Sequence, residues 1–475
     1  MALALGDAFT LVLTEDGILY AFGANQRGQL GLGHIQQQIA PMALDRLLTF
    51  EDQDIVMVAA GANHAACVSQ DGSVWTWGDN GLGALGLGGV GLSEDEDKFE
   101  EGEPPYFGII IPKCSPTRIS SEHFGRAPAL MVACGTSFSV LLTAAGHVWT
   151  AGYAGNGQLG HNDEVNRQSF TLVDPEHFGG TAIGMVATGN SHSMALSREG
   201  GMLWAWGSHL MGELGLGLPH TYRVHVPTRV PAVSFGNVAV ASMDGGSLFS
   251  MVVTVDGVLW GCGHGAHGEL GNGSKRHHRV MQRVGGAEYF GGFAVRSAVC
   301  GLSRCVITTE ENAVWTCGND GFPVMSARAW PGPDTLRPIR LERASFDNAD
   351  VVIAGSGRMH SAAVTARGRL YTWGVGHNFD NGCGLGYYSA MGQGSPRALT
   401  VGLPVFDLAR IGRWHDLRQA HILAFSMGLH ARLGADSAFR DTPAELVREM
   451  FERMRFSARH GSSPGYQNLI GRMPR

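Results

Sequence analysis

Three histidines, His64, His192 and His360, each stand three residues after a glycine that closes a short apolar run. A recurring imidazole could serve acid–base chemistry, metal binding or packing. Phe138 and Phe249 hold the same place in sister segments, so packing plus one backbone hydrogen bond is the expectation. Around them Asp7, Asn63, Asn190, Asp244, Arg304 and Arg358 differ in charge and are the candidates for touching a partner. Two charged stretches join that set. "EDEDKFEEGE" at 94–103 carries seven acids and one lysine, a density that requires solvent. Its Asp95, Glu96 and Asp97 could steer a basic partner. "GSKRHHRVMQR" at 273–283 offers Lys275, Arg276 and Arg279 to phosphate or an acidic surface. The chain has no "GxxxxGK[ST]" and no "HExxH". The expectation is therefore no catalytic residue, no cofactor and no metal.

The elements that position these residues are legible in the composition. Gly 69 among 475 residues is about twice the usual share, which calls for many tight turns. A formal charge of -7 gives no overall bias toward nucleic acid. Eight scattered cysteines form no disulfide or zinc framework, and a reduced, intracellular setting follows. The start, "MALALGDAFTLVLTEDG", lacks the basic opening of a secretory signal, and no apolar run is long enough for a membrane span.

The glycine-led segments recur. They are "GDAFTLVLTEDGILYAFG" at Gly6, "GANHAACVSQDGSVWTWG" at Gly61, "GTSFSVLLTAAGHVWTAG" at Gly135, "GNSHSMALSREGGMLWAWG" at Gly189, "GSLFSMVVTVDGVLWGCG" at Gly246, "GLSRCVITTEENAVWTCG" at Gly301 and "GRMHSAAVTARGRLYTWG" at Gly357. The spacings are 55, 74, 54, 57, 55 and 56, and the acidic insertion accounts for the long one. Seven copies at a steady period mark a repeat architecture. Period-two apolar alternation and "DG" reversals make each copy β. In copy two the strands are "IVMVAAG", "HAACVSQ", "SVWTWG" and the stretch around "SPTRI". Asn312 replaces the turn glycine in "ENAVW", being the next most tolerant residue there. The fold class is thus all-β, a ring of four-stranded blades. Rings at 75/77, 149, 204/206, 260, 315 and 371/373 fill the widening space between blades, with Cys262 and Cys317 as small apolar substitutes.

The pattern "VAAG-xx-H-x-A-x-V-x-x-D-G-x-V-W-x-W-G-x-N-x-x-G-x-L-G-L-G" at 58–88 resembles the repeats of the regulator-of-chromosome-condensation family. It recurs at 132–160 and 186–217, and in looser form at 241–273, 298–318 and 353–386. The resemblance implies a seven-bladed β-propeller over most of residues 1–405. It also implies, from the family's best-known member, nucleotide exchange on a Ran-type GTPase through one face, with chromatin on the other. The family's exchange wedge has no residue-by-residue match here, although the acidic insertion is a candidate analogue. No basic segment precedes copy one, so no chromatin role and no catalytic residue are carried over. The "GWRHT" motif of an ultraviolet-sensing plant relative is absent, and "GRWHD" at 412–416 is a solitary likeness.

These readings predict a propeller over 1–412 and an extension over 413–475. "LPVFDLARIG" at 403–412 is expected to close the ring beside the N-terminal strand. Helices are expected at 417–434 and 442–456, the second capped by Thr442 with Pro443 and Glu445 in its first turn. The expected function is a non-enzymatic protein-binding scaffold using the rim that carries the "VAAG-xx-H" turns. The alternative is an exchange factor for a Ran-like GTPase. The partner is expected to be a protein, with no nucleic acid and no membrane insertion, and the chain a monomer.

Overall fold

The computed structural model describes residues 1–88, 112–319, 335–358, 360–374 and 403–407. Within them seven four-stranded antiparallel sheets follow one another along the chain. We name the strands of each blade A to D from the centre outward. Blade two is typical, with A at Ile55–Ala60, B at His64–Ser69, C at Val74–Gly78 and D at Lys113–Ile119. Strand B is buried along its whole length because neighbouring blades cover both its sides. That is why it reads as a run of small and apolar residues.

The B–C reversal needs a left-handed residue. Gly72 takes φ +81 there, and Asn312 takes φ 64 in blade six, as its sequence position predicts. Gly61 serves a different need. A Cβ at this position would lie 2.3 Å from the Gly135 carbonyl of the next blade, so only glycine lets the turns approach.

The aromatic rings sit between blades. Trp75, Trp77 and Trp206 are fully buried, and the Trp77 and Trp206 indoles each donate to a carbonyl of the preceding blade, Gln29 and Gln158, at 2.9 Å. Cys262 and Cys317 stand in the same place and keep the bond, donating to the Glu213 and Glu269 carbonyls at 3.3 and 3.4 Å. They substitute for the indole donor as well as for apolar bulk.

A second aromatic set lies in the D–A connections. Phe50, Phe124, Phe178, Phe235, Phe290 and Phe346 are all buried, each eleven residues before the next repeat glycine, as in Phe50 and Gly61. All but Phe290, which lies in a turn, close one turn of helix that ends on a left-handed residue, for example Gly125 or Asp347. Four of the rings meet an aromatic of strand C in the following blade edge-on, Phe50 with Trp75 at 5.8 Å, Phe178 with Trp204 at 5.8 Å, Phe290 with Trp315 at 5.3 Å and Phe346 with Tyr371 at 5.5 Å. Burial of such a ring is worth roughly 1.5–3 kcal/mol.

Ring closure differs from the expectation. Leu403–Asp407 pairs with Arg369–Gly374 as the outermost strand of blade seven, and Ala2–Leu5 pairs with Phe9–Leu13 inside blade one. Each blade takes its four strands in sequence, and among the described residues no strand is shared across the seam. The reason is length: the seventh copy still lacks a strand D when its third strand ends, and 403–407 supplies it. The chain divides into two compact units, Met1–Gly412 and Arg413–Arg475. The second unit, with both expected helices, lies outside the described residues. No described helix is long and apolar enough to cross a membrane.

Candidate protein-interaction face

A meander of four antiparallel strands puts its A–B and C–D turns on one rim. Direct bonds tie the two turns together. The residue after strand C donates its N–H to the A–B turn, as in Asp79 to Asn63 and Tyr153 to Ser137, both at 2.9 Å. The A–B turns are also linked from blade to blade. Thr136 donates to the Asn190 carbonyl, Asn190 to Gly246 and Ser247 to Gly301, at 3.1 to 3.2 Å. These bonds tie the A–B turns of blades three to six into one continuous arc, and Asp7 donates to the Ala62 carbonyl at 3.4 Å between blades one and two.

Beneath the rim the repeat histidines act as latches. His64 meets the Ser139 hydroxyl at 3.0 Å, His192 meets Ser250 at 2.8 Å, and His360 meets Thr10 at 2.7 Å, always in the following blade. Ser139 and Ser250 give their own protons to the Ala84 and Glu213 carbonyls, so the imidazoles must donate from Nε2. Burial holds the three rings neutral, down to about 4 for His64 and about 3 for His192 and His360. The structural expectation for these histidines is met by a side-chain partner across the seam, where a backbone one was expected.

The candidate contact residues separate into several groups. Arg358 donates to Asp7 at 3.1 Å across the seam between blades seven and one, and both are partly exposed. Burial raises the Asp7 carboxyl above its usual range, with Arg358 opposing. Asn63 accepts from Gln29 at 3.4 Å, and Asn190 donates to Ser247 at 2.8 Å. Lys275 and Arg276 are exposed on the C–D connection of blade five.

Three residues do not stand free on the rim. Arg304 is 3% exposed, because it occupies the latch position of blade six, three residues after Gly301. Asp244 belongs to strand A of blade five and accepts the Cys300 N–H of blade six at 2.7 Å. Burial pushes its carboxyl up to about 7, with the Cys300 bond opposing. Arg279 spends its guanidinium on four carbonyls of the blade-four C–D connection, His209, Leu210, Leu218 and Thr221, at 3.2 to 3.3 Å. It staples two blades together. Asp95, Glu96 and Asp97 lie outside the described residues.

Sequence reasoning missed the buried residue of the "G-x-L-G" loops. Gln29, Gln158, Glu213 and Glu269 are 0–2% exposed, and each side chain accepts an N–H two residues earlier in its own loop. The signal was present as an amide or acid between Gly and Leu in four copies. On the opposite rim a cleft of about 560 Å³ runs past Asp71, Ser73, Arg118 and Arg126. Its Arg118 is already bonded to Glu51 and Ser73, at 2.6 and 2.8 Å. Among the described residues no cluster of histidine, cysteine or acid could hold a metal.

This annulus of repeated blades defines a propeller scaffold, and the comparisons give its family. Residues 1–285 match the model of the RCC1-like domain, and the chain belongs to that family. The ultraviolet-B receptor UVR8 of Arabidopsis thaliana is 31% identical over 386 residues, 81% of this chain and 79% of the relative. The mitochondrial RCC1 domain-containing protein RUG3 of the same plant is 29% identical over 388 residues, 77% of this chain and 79% of the relative. Among solved structures, Prp20p of Saccharomyces cerevisiae superposes with a TM-score of 0.65 at 21% identity, covering 84% of this chain and 88% of Prp20p. That likeness establishes the seven-bladed fold.

Proposed function

We propose that the propeller is a protein-binding module that works through the A–B/C–D rim, and that its partner is a small GTPase of the Ran type whose bound nucleotide the contact loosens. The rim's construction carries the reading. Hydrogen-bonded turns, linked from blade to blade over blades three to six, and the connections beside them present exposed Thr136, Lys275, Arg276 and Arg358 on a scaffold of packed sheets. Exchange makes and breaks no covalent bond. It requires only that the rim hold the nucleotide-free partner more tightly than the loaded one. Support also comes from Prp20p, which is described by its binding to Gsp1p and histones.

Binding without exchange is the second reading. Described acids on this rim are engaged internally, Asp7 with Arg358 and Asp79 with Arg27 at 3.8 Å, and that favours a scaffold over a surface that displaces nucleotide. Release of fluorescent GDP from the host's small GTPases, at substoichiometric propeller, separates the two. Acceleration of about tenfold or more that Thr136→Arg and Arg358→Glu remove is the expected result. Partner binding that these variants remove, with no acceleration, leaves the scaffold reading. GTPase binding indifferent to both variants counts against the rim itself.

A further inference from the structure

We infer that the C–D connection of blade four is a docking site for a protein segment that presents apolar side chains beside acidic ones, seated on Leu210, Leu218, Tyr222 and Val280. The inference rests on this rim being the protein-binding face, and it holds whether or not the partner is a GTPase.

One guanidinium gathers these residues. Arg279, in strand D of blade five (His278–Gly285), donates to the carbonyls of His209, Leu210, Leu218 and Thr221 at 3.2 to 3.3 Å. Those bonds draw both ends of the 209–222 connection round a single group, with Leu210 and Leu218 at two of the bonds and Tyr222 next to a third. The His209 N–H also donates to the Tyr222 carbonyl at 2.7 Å. Val280 follows Arg279 and joins from the other blade. It forms a bridge with Leu216, and a Cβ at Gly217 would meet its Cγ1 at 3.0 Å. The Arg279 carbonyl accepts the Gly217 N–H at 2.8 Å. The backbone beneath the patch is therefore fixed before anything binds.

The four side chains stand out in solvent. Leu210 is 47%, Leu218 37%, Tyr222 58% and Val280 41% exposed. Single apolar exposures are ordinary on any surface, whereas four collected round one group mark a contact. The propeller fold does not ask for them. Three residues past the strand-C glycine (Gly207 in blade four), Leu210 replaces the Gln26, Gly81, Gly155 and Ala266 of blades one, two, three and five. Eleven residues past it, Leu218 replaces the His34, Asp163 and Ser274 of blades one, three and five.

Charge selects the occupant. The connections 209–222 and 264–277 hold two acids, Glu213 and Glu269, and both are buried and bonded within their own loops. Their exposed fixed charges are the cations Lys275 and Arg276. Arg276 comes three residues before Arg279, so the chain keeps its Cα within about 11 Å of the Arg279 Cα. On the other side, Glu164 of blade three is already engaged by Arg223 and His225, at 2.8 and 3.0 Å. An apolar segment flanked by acids matches that balance, and a basic one does not.

The test uses the full chain as bait for a random peptide display library. The recovered peptides should carry large apolar residues next to Asp or Glu. Leu210→Ser with Tyr222→Ser should weaken binding of the recovered pool about tenfold or more at unchanged melting temperature, since both side chains are exposed. Lys275→Glu with Arg276→Glu should slow association and flatten its salt dependence. Recovery of basic or wholly polar peptides, no recovery, or a pool that the Leu210/Tyr222 variant binds equally well overturns the site. Self-association of the chain, or adhesion to phosphatidylserine vesicles, that this variant abolishes overturns it in favour of a second copy or of a membrane. The Thr136→Arg and Arg358→Glu assays with GTPases test the rim separately, so failed peptide recovery beside GTPase binding that those variants remove counts against this site alone.

Discussion

The seam between blades four and five and the seam between blades seven and one share one latch and differ in what surrounds it. His192 with Ser250 closes the first, and His360 with Thr10 closes the second. At the first, the chain itself crosses, and Phe235 from the connection joins Leu203, Leu214, Val230, Val240 and Cys262 in one apolar cluster. At the second, the described contacts are the latch, the Arg358–Asp7 pair, and Leu3 and Leu5 packed on Gly355. Successive blades are thus joined by buried rings carried in the connections, while the described part of the closing seam joins inner strands with a larger polar share. Apolar seams should respond to lost volume, and polar ones to pH and salt.

The largest effect is expected where the wedge is removed. Phe235→Ala should cost about 3–5 kcal/mol, because the ring is 2% exposed and its neighbours are held by the sheet. Urea unfolding measures it. A loss under about 1 kcal/mol would mean that the wedge is not what couples blades four and five.

Acid comes next. His64, His192 and His360 are held well below the unfolded value near 6.5, so the unfolded chain takes up protons first as pH falls. Their contribution is complete above about pH 6.5 and is lost as pH falls toward about 4 and 3. Asp244 has the opposite sign. Its folded value of about 7 lies above the unfolded one, so its contribution is complete at acid pH and is lost as pH rises through 7. Three protons against one leave a net loss on the order of 3 kcal/mol between pH 6.5 and 5. Asp244→Asn should stabilise the ring at pH 8 and change little at pH 4. A flat stability profile from pH 7 to 5 in the unmodified chain would contradict neutral latches.

The seven blades were legible because their signals are local. Turn residues, period-two alternation and one ring per copy do not depend on what packs against them. The Phe wedge was overlooked although its spacing to the next glycine is constant, since it lies in a connection of variable composition, "RLLTF" in one place and "SEHF" in another. Arg304 was placed on the rim because charge suggested exposure. Its register three residues after Gly301 puts it at the latch, and register fixes which way a strand residue points. Asp244 and Arg279 were judged by charge in the same way, whereas their partners are backbone groups of another blade. Such partners are set by tertiary approach, which a single repeat does not encode.

A smaller effect should follow from the closing latch alone. His360→Ala removes a buried ring together with its bond to Thr10 and should cost about 1–3 kcal/mol. His360→Phe copies Phe138 and Phe249, which fill the same place in blades three and five, and should cost less than the alanine. Melting curves of the two variants compare them. Equal losses would show that volume is irrelevant there and that the hydroxyl bond is the whole latch.

The smallest effect belongs to the ion pair, and its two ends should not behave alike. Arg358 is 48% and Asp7 29% exposed at the side chain, so solvent screens their attraction and the pair is worth about 0–1 kcal/mol. Yet Asp7 is raised by burial despite Arg358, which means that its charge is tolerated more than it is stabilised. Removing the charge with Asp7→Asn should therefore be neutral or slightly stabilising at pH 7. Arg358→Ala removes the group that offsets the burial, so it should destabilise slightly and push the Asp7 carboxyl higher still. Added salt should narrow the difference between the two variants, since screening weakens the pair without altering burial. Carboxyl titration by NMR and melting temperatures at low and high salt check both halves. If Asp7→Asn destabilises more than Arg358→Ala, the carboxylate is a stabilising element of the closing seam, and the polar share of that seam is larger than its geometry indicates.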